Sequence, residues 1–260
     1  VGSDGEFGYL KFASNGTCTY ISLMGKVPTE FHDFSAVWEV ATTSKEIVFR
    51  SKKYLFLLSN DQVEVITPFK NVFDIAFTIR DTVYTREVGT GVLRVEGNEV
   101  KLVKGGEYFS DKKVNIYLPH KDNQLLVGTR YNGLYILDQD GSVAPLKTEV
   151  DDFLKKYKIY HGCVTHDGNY SFAAYTKGVV IIDQNGKLLE FFDQKSGLVD
   201  FQYLFVGMFD ANNMWIANGV GTSRVELLSP LSYFDTRSGL KDVATDAIRY
   251  NGEFYVSTFR

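Results

Sequence analysis

The chain has 260 residues, 44% of them hydrophobic and 23% charged, with a formal net charge of −4. That balance belongs to a folded globular protein and excludes disordered and collagen-like chains. The acidic total argues against nucleic acid as the main partner, since a phosphate backbone needs a basic face. No apolar run approaches the length of a membrane helix, the longest being stretches such as YLFVGMF from Tyr203 to Phe209.

Taken in order, the chain opens with VGSDGEFGYL, which reads as the close of one strand, a turn and the start of another. It therefore begins within a strand, and any targeting segment is expected outside it. SKKYLFLL follows, then GVLRV at Gly91. The clearest unit runs from Val114 to Val150: VNIYLPH, a KDN turn, QLLVGT, an RYN turn, GLYILD, a QDG turn and the more polar SVAPLKTE. Four short runs separated by Gly, Asn and Asp turns predict a four-stranded antiparallel meander. DDFLKKYKI, at Asp151 to Ile159, is the one helical stretch and reads as an insertion. The same grammar returns from Cys163 to Phe192 and from Leu204 to Phe234, and the chain stops at FYVSTFR, again a second strand.

A period underlies these units. FFDQKSGL at Phe191 to Leu198 returns as YFDTRSGL at Tyr233 to Leu240, 42 residues on. The third runs open at Gly8, Lys53 (a degenerate member), Gly91, Gly133, Gly178 and Gly221, in steps of 45, 38, 42, 45 and 43. Such a period means a repeat architecture. Runs such as LLV, VVII and YLFLL do not alternate, so both faces of these strands must be covered. A β-propeller supplies that cover by sandwiching each blade between two others, whereas a helical solenoid would need two amphipathic windows per repeat. The reading is an all-β propeller of four-stranded antiparallel blades with about six modules, near 1–34, 35–70, 71–113, 114–160, 161–202 and 203–246, and a partial one at 247–260. The first and last modules together make one composite blade of a six-bladed ring, or the chain is part of a seven-bladed parent.

DANNMWIAN at Asp210 to Asn218, VGTRYNGLYILD at Val127 to Asp138 and the two connectors resemble the two-component-regulator propeller repeat. The likeness spans essentially the whole chain and is weakest over Ser35 to Pro68. The resemblance implies a periplasmic sensor region of a bacterial hybrid two-component system or a related one-component regulator. It further implies, in the same polypeptide, an immunoglobulin-like domain with a triple-tyrosine signature, a membrane span and a kinase or helix-turn-helix output. A homodimer is compatible with that arrangement. The resemblance leaves the ligand unnamed.

Catalytic and metal signals are poor. His161 and His166 have no carboxylate at ligand spacing, and no nucleophile elbow, HExxH, phosphate loop or zinc-spaced Cys pair occurs. Neither an enzyme nor a cofactor or metal is expected. Cys18 and Cys163 fall on an outer and an inner strand of different modules, too far apart for a disulfide, and are expected as free, mostly buried thiols.

The turns between second and third strands carry a subtler signal, since they gather on one propeller face. The candidate ligand-binding residues are Arg50, Arg86, Arg130, Tyr131, Tyr175, Lys177, Asn218 and Arg260. Arg beside Tyr suits carboxylated or sulfated sugars, through forked hydrogen bonds and ring stacking; the plainer reading is solvated turn residues. Phe192, Phe234 and Tyr108, at fourth-strand ends, read as packing between blades, and the small residues Gly128, Ala173, Ala174, Ala217 and Ser257 as crowding near the axis. The expectation is a non-enzymatic sensor binding a small molecule, plausibly an oligosaccharide. The rival readings are a protein-interaction scaffold and a propeller lyase or glycoside hydrolase.

Overall fold

The computed structural model describes residues 1–199, 202–227, 239–240 and 242–259. Its first sheet holds β1 (Gly2–Ser3), β2 (Glu6–Phe12) and β3 (Cys18–Ser22). The second holds β4 (Val37–Thr42), β5 (Ile47–Ser51), β6 (Leu55–Ser59) and β7 (Gln62–Ile66), and the third β8 (Phe73–Ile79), β9 (Thr82–Glu87), β10 (Gly91–Glu96) and β11 (Glu99–Leu102). The fourth comprises β12 (Val114–Pro119), β13 (Leu125–Thr129), β14 (Gly133–Leu137) and β15 (Val143–Leu146). The fifth comprises β16 (Ile159–Val164), β17 (Tyr170–Ala174), β18 (Gly178–Ile182) and β19 (Leu188–Phe192). β20 (Tyr203–Met208), β21 (Asn213–Asn218) and β22 (Gly221–Glu226) form the sixth, and a hairpin of β23 (Ala244–Tyr250) and β24 (Glu253–Thr258) follows. Every pairing is antiparallel between strands consecutive in the chain, so the fold is an all-β propeller with six blades of three or four strands. The hairpin is a sheet of its own, with all of β23 exposed. Among the described residues no strand pairing joins it to β1–β3, so the composite blade is not formed here.

Each blade is held by its neighbours. Strands β13, β17 and β18 are buried at every residue, which is why their sequences lack polar alternation. Between the second and third blades lie Ala41, Val48, Leu55 and Leu57 against Phe73, Ala76, Val83 and Leu93. The other face of β8 sends Ile75 and Ile79 against Val114, Tyr117 and Leu125 of the fourth blade. One inner strand thus feeds two cores, and each core closes only when two blades meet. Helix α1 (Asp151–Tyr157) sits between β15 and β16 as expected and inserts Leu154 into the core of the fourth and fifth blades.

At Gly8, Gly91 and Gly178 the recurring third-strand glycine has a steric cause. At Gly178, φ is +146° and a Cβ would lie 2.2 Å from the Phe192 carbonyl oxygen. The start of the third strand runs directly against the backbone at the end of the fourth, leaving no room for a side chain. The connector is also built on backbone conformation: Asp193 accepts a hydrogen bond from the Lys195 N–H at 2.8 Å, and Gly197 turns left-handed at φ 93°. Gly239, 42 residues later, has φ 92°. Most of the second copy, Phe234 included, lies outside the described residues.

Two sequence expectations change. Tyr108 is exposed on a 3-10 turn, Gly106–Phe109, after β11, and its neighbour Phe109 is the buried ring. Both thiols are free, but Cys18 is exposed on β3, because the first blade's outer strand has no cover there. Cys163 is half-buried on inner strand β16, where burial pushes its pKa up to about 11.

Candidate functional site

The inner strands share one irregularity. The register shifts between Val37 and Glu39 in β4, Phe73 and Ala76 in β8, Val114 and Ile116 in β12, Ile159 and His161 in β16, and Tyr203 and Phe205 in β20. A bulge leaves a residue unpaired and re-aims side chains. The residues so placed are Trp38, Asp74 with Ile75, Asn115, Tyr160 and Leu204. All of them line an open cavity of about 810 Å3 bordered by the five inner strands.

The second and third blades furnish this cavity with paired charges. Arg50, on β5 directly across from Glu39, forms an ion pair with it and donates from Nη1 to the Phe73 carbonyl at 3.4 Å. Burial raises the Glu39 carboxyl above its ordinary range, against the opposing pull of Arg50. Arg86, on β9, donates from Nη1 to Asp74 at 2.8 Å, from Nε to the Phe109 carbonyl at 2.8 Å and from Nη2 to the Ser110 carbonyl at 2.7 Å. Lys113 of the fourth blade reaches the other Asp74 oxygen at 2.8 Å, so Asp74 ties two blades together.

The fourth to sixth blades furnish it with rings. The Arg130 guanidinium lies 5.6 to 5.7 Å from the centroids of Tyr131, Tyr160 and Tyr175, within cation–π range. Tyr160 and Tyr175 stack at 5.2 Å. Arg130 has no ion pair among the described residues, and its Nε is buried without a hydrogen-bond partner. The His161 ring packs at a tilt against Phe205, with centroids 4.5 Å apart, and its Nδ1 lies 3.1 Å from the Val206 carbonyl oxygen. Burial lowers its pKa to about 4, so the ring is neutral near pH 7. Trp38 and Phe205, on opposite flanks of the lining, are 59% and 45% exposed, an unusual degree for large rings on inner strands. Four lining cations (Arg50, Lys52, Lys113, Arg130) face two carboxylates (Glu39, Asp74), a local excess of two positive charges on a chain of net −4.

The eight candidate residues separate in space. Arg50 and Arg130 line the cavity, and Tyr131 and Tyr175 meet it through the Arg130 guanidinium. Arg50 and Arg86 are not turn residues; they lie within β5 and β9 with 3% of their surface exposed. Arg86 sits behind Asp74 with each of its nitrogens bonded. Lys177 lies outside the lining. Asn218 closes β21 and uses its Oδ1 to accept from the Val220 and Gly221 N–H groups at 3.0 and 2.9 Å, a turn-capping role. Arg260 is outside the described residues. The turns alone did not point to Trp38, Asn115 and Tyr160. Each follows the opening residue of a first strand (Val37, Val114, Ile159), so aligning first strands as the third strands were aligned would have collected them.

No protein-family model matches the chain, and no curated relative does. Solved structures match across most of its length. The extracellular domain assigned to a hybrid two-component system of B. thetaiotaomicron superimposes with a TM-score of 0.61 at 14% identity, covering 85% of this chain and 31% of its own. A second B. thetaiotaomicron extracellular domain, assigned to a one-component system, gives 0.56 at 14% identity over 99% of this chain and 40% of its own. A catalytically inactive virginiamycin B lyase from Staphylococcus aureus, with quinupristin, gives 0.54 at 10% identity over 98% and 96%. At these identities the likeness establishes the propeller fold, and the chain spans about a third of the length of the first of these proteins.

Proposed function

We propose that the chain is the ligand-sensing propeller of an extracytoplasmic, periplasmic signal-transduction protein, and that it acts by binding rather than catalysis. The remaining parts of that protein, an immunoglobulin-like domain, a membrane span and an output domain, belong to the same polypeptide in this reading. The ligand is an oligosaccharide seated in the cavity between the inner strands. The observation that carries this is the pairing of exposed Trp38 and Phe205 with fixed polar groups in one concave space of about 810 Å3. Carbohydrate rings stack on exposed aromatics and take direction from fixed polar groups. The likeness to two sensor ectodomains supports the reading. Such a ligand spans several blades, and it signals by favouring one arrangement of those blades over another.

A panel of glycans assayed by calorimetry and thermal shift tests this. The expected outcome is stabilisation by one glycan class, lost on Trp38→Ala. Recovery of a protein partner with no glycan effect would replace the sensor by an interaction scaffold, and turnover of any glycan by the purified protein would make it a lyase or hydrolase.

A further inference from the structure

Resting on that reading, we infer that the ligand carries a carboxylate and that Arg130 is the group that binds it. Four observations converge on this residue. Arg130 lines the cavity, and among the described residues it has no ion pair. Of the other three lining cations two are already committed, Arg50 to Glu39 and Lys113 to Asp74. The guanidinium is held by Tyr131, Tyr160 and Tyr175 at nearly equal distances, which fixes its plane without consuming its N–H donors. Its Nε is sealed from solvent and unpartnered, so the donors open to a ligand are the Nη groups, which make no hydrogen bond among the described residues.

The chemistry selects the ligand class. A planar fork with free N–H groups matches a carboxylate in two parallel hydrogen bonds. A neutral hydroxyl can satisfy one donor and leaves the other exposed. The backbone N–H of Arg130 is bonded to the carbonyl of Lys113, just ahead of the first strand of its own blade, at 2.8 Å, so the residue's main chain is fixed. Exposed Lys52 lines the same cavity, has no carboxylate partner among the described residues, and adds to the positive field. The stacking surfaces Trp38 and Phe205 belong to other blades. A ligand meeting all of them is a sugar ring bearing an acid group, as in a uronic acid.

Glucuronate and glucose differ only by that group and serve as probes. Arginine side-chain Nε–Hε resonances are followed by NMR in the wild-type protein during titration with each sugar at up to tens of millimolar. The expected result is a saturable shift of the Arg130 signal with glucuronate, little with glucose, and no shift of the fully bonded Arg86 signal. Arg130→Gln lowers glucuronate affinity about tenfold, and Arg130→Lys, which keeps charge without the fork, recovers only part of it. An Arg130 signal that stays still with glucuronate, or moves equally with glucose, overturns the inference. Glycan stabilisation that depends on Trp38 but is indifferent to Arg130→Gln would remove the carboxylate anchor and leave the ligand-binding cavity standing.

Discussion

Arg86 and Arg130 sit on adjacent blades at the ends of second strands, yet they do opposite things. Arg86 is buried with its nitrogens spread over Asp74 and two carbonyls. Among the described residues the Arg130 side chain is held by rings alone, with a buried donor unused. The difference follows from the residue facing each second strand across its blade. Where the inner strand supplies an acid, Glu39 or Asp74, the position carries arginine and the pair closes on itself. Where it supplies a bulky group, Ile116, His161 or Phe205, the facing residue is Gly128, Ala173 or Ala217. In the fourth blade the arginine comes two residues later, beyond the strand, where tyrosines surround it. Charge that completes the scaffold and charge left for a ligand are thus separated by a shift of two positions.

The comparison breaks most visibly at Arg86. Arg86→Ala leaves the Phe109 and Ser110 carbonyls without their donor and Asp74 with Lys113 alone, and is expected to cost about 4 kcal/mol. Urea denaturation measures this; a loss comparable to that of an ordinary surface substitution would show that Arg86 is no more structural than Arg130. Next comes His161, within the ring-lined part. The unfolded chain takes up a proton near pH 6.5, while the folded ring resists until about pH 4 because burial opposes its charge. The unfolded state therefore binds more protons across that window, and stability falls as pH drops through it, by about 3 kcal/mol in total. His161→Phe removes that acid-sensitive portion, whatever its effect at neutral pH. An unchanged slope of stability against pH in the variant would place the acid sensitivity elsewhere.

How much of this was legible in the sequence depended on which periodicity was followed. Third strands announce themselves by a glycine, which three blades need on steric grounds: a Cβ at Gly8 or Gly178 would strike the backbone of the fourth strand, and one at Gly91 the Gly106 backbone just after it. The fold, the inserted helix and the connector followed from it. The site residues were only partly readable, because turn position in sequence does not report what lies across the strand. Arg50 and Arg86 read as solvated turn cations, and only the strand pairing reveals that Glu39 lies directly across from Arg50 and that the β8 bulge turns Asp74 toward Arg86. The aromatic lining was hidden for a related reason: in the sequence Trp38 and Tyr160 are indistinguishable from core rings, and the bulge alone turns them inward.

Asn218 provides an intermediate case, a polar residue at the equivalent strand end whose side chain serves its own turn. Asn218→Ala loses the acceptor for the Val220 and Gly221 N–H groups, both near solvent, and should cost about 1 kcal/mol. Glycan binding should survive it; a loss of binding with an unchanged denaturation midpoint would return Asn218 to the site.

The smallest effect on stability is expected at Arg130, and this is where the comparison is sharpest. Arg130→Gln forfeits cation–π contacts with three rings, each worth a fraction of a kcal/mol where partly exposed. It also removes a buried N–H that has no partner, which offsets part of that loss. The net change should be about 0.5 kcal/mol, read as a small shift in denaturation midpoint with an unchanged slope. A cost approaching that of Arg86→Ala would mean the tyrosine cage exists to hold the fold. A near-neutral change means that the cage holds a cation the fold does not need, which leaves its charge available to a ligand.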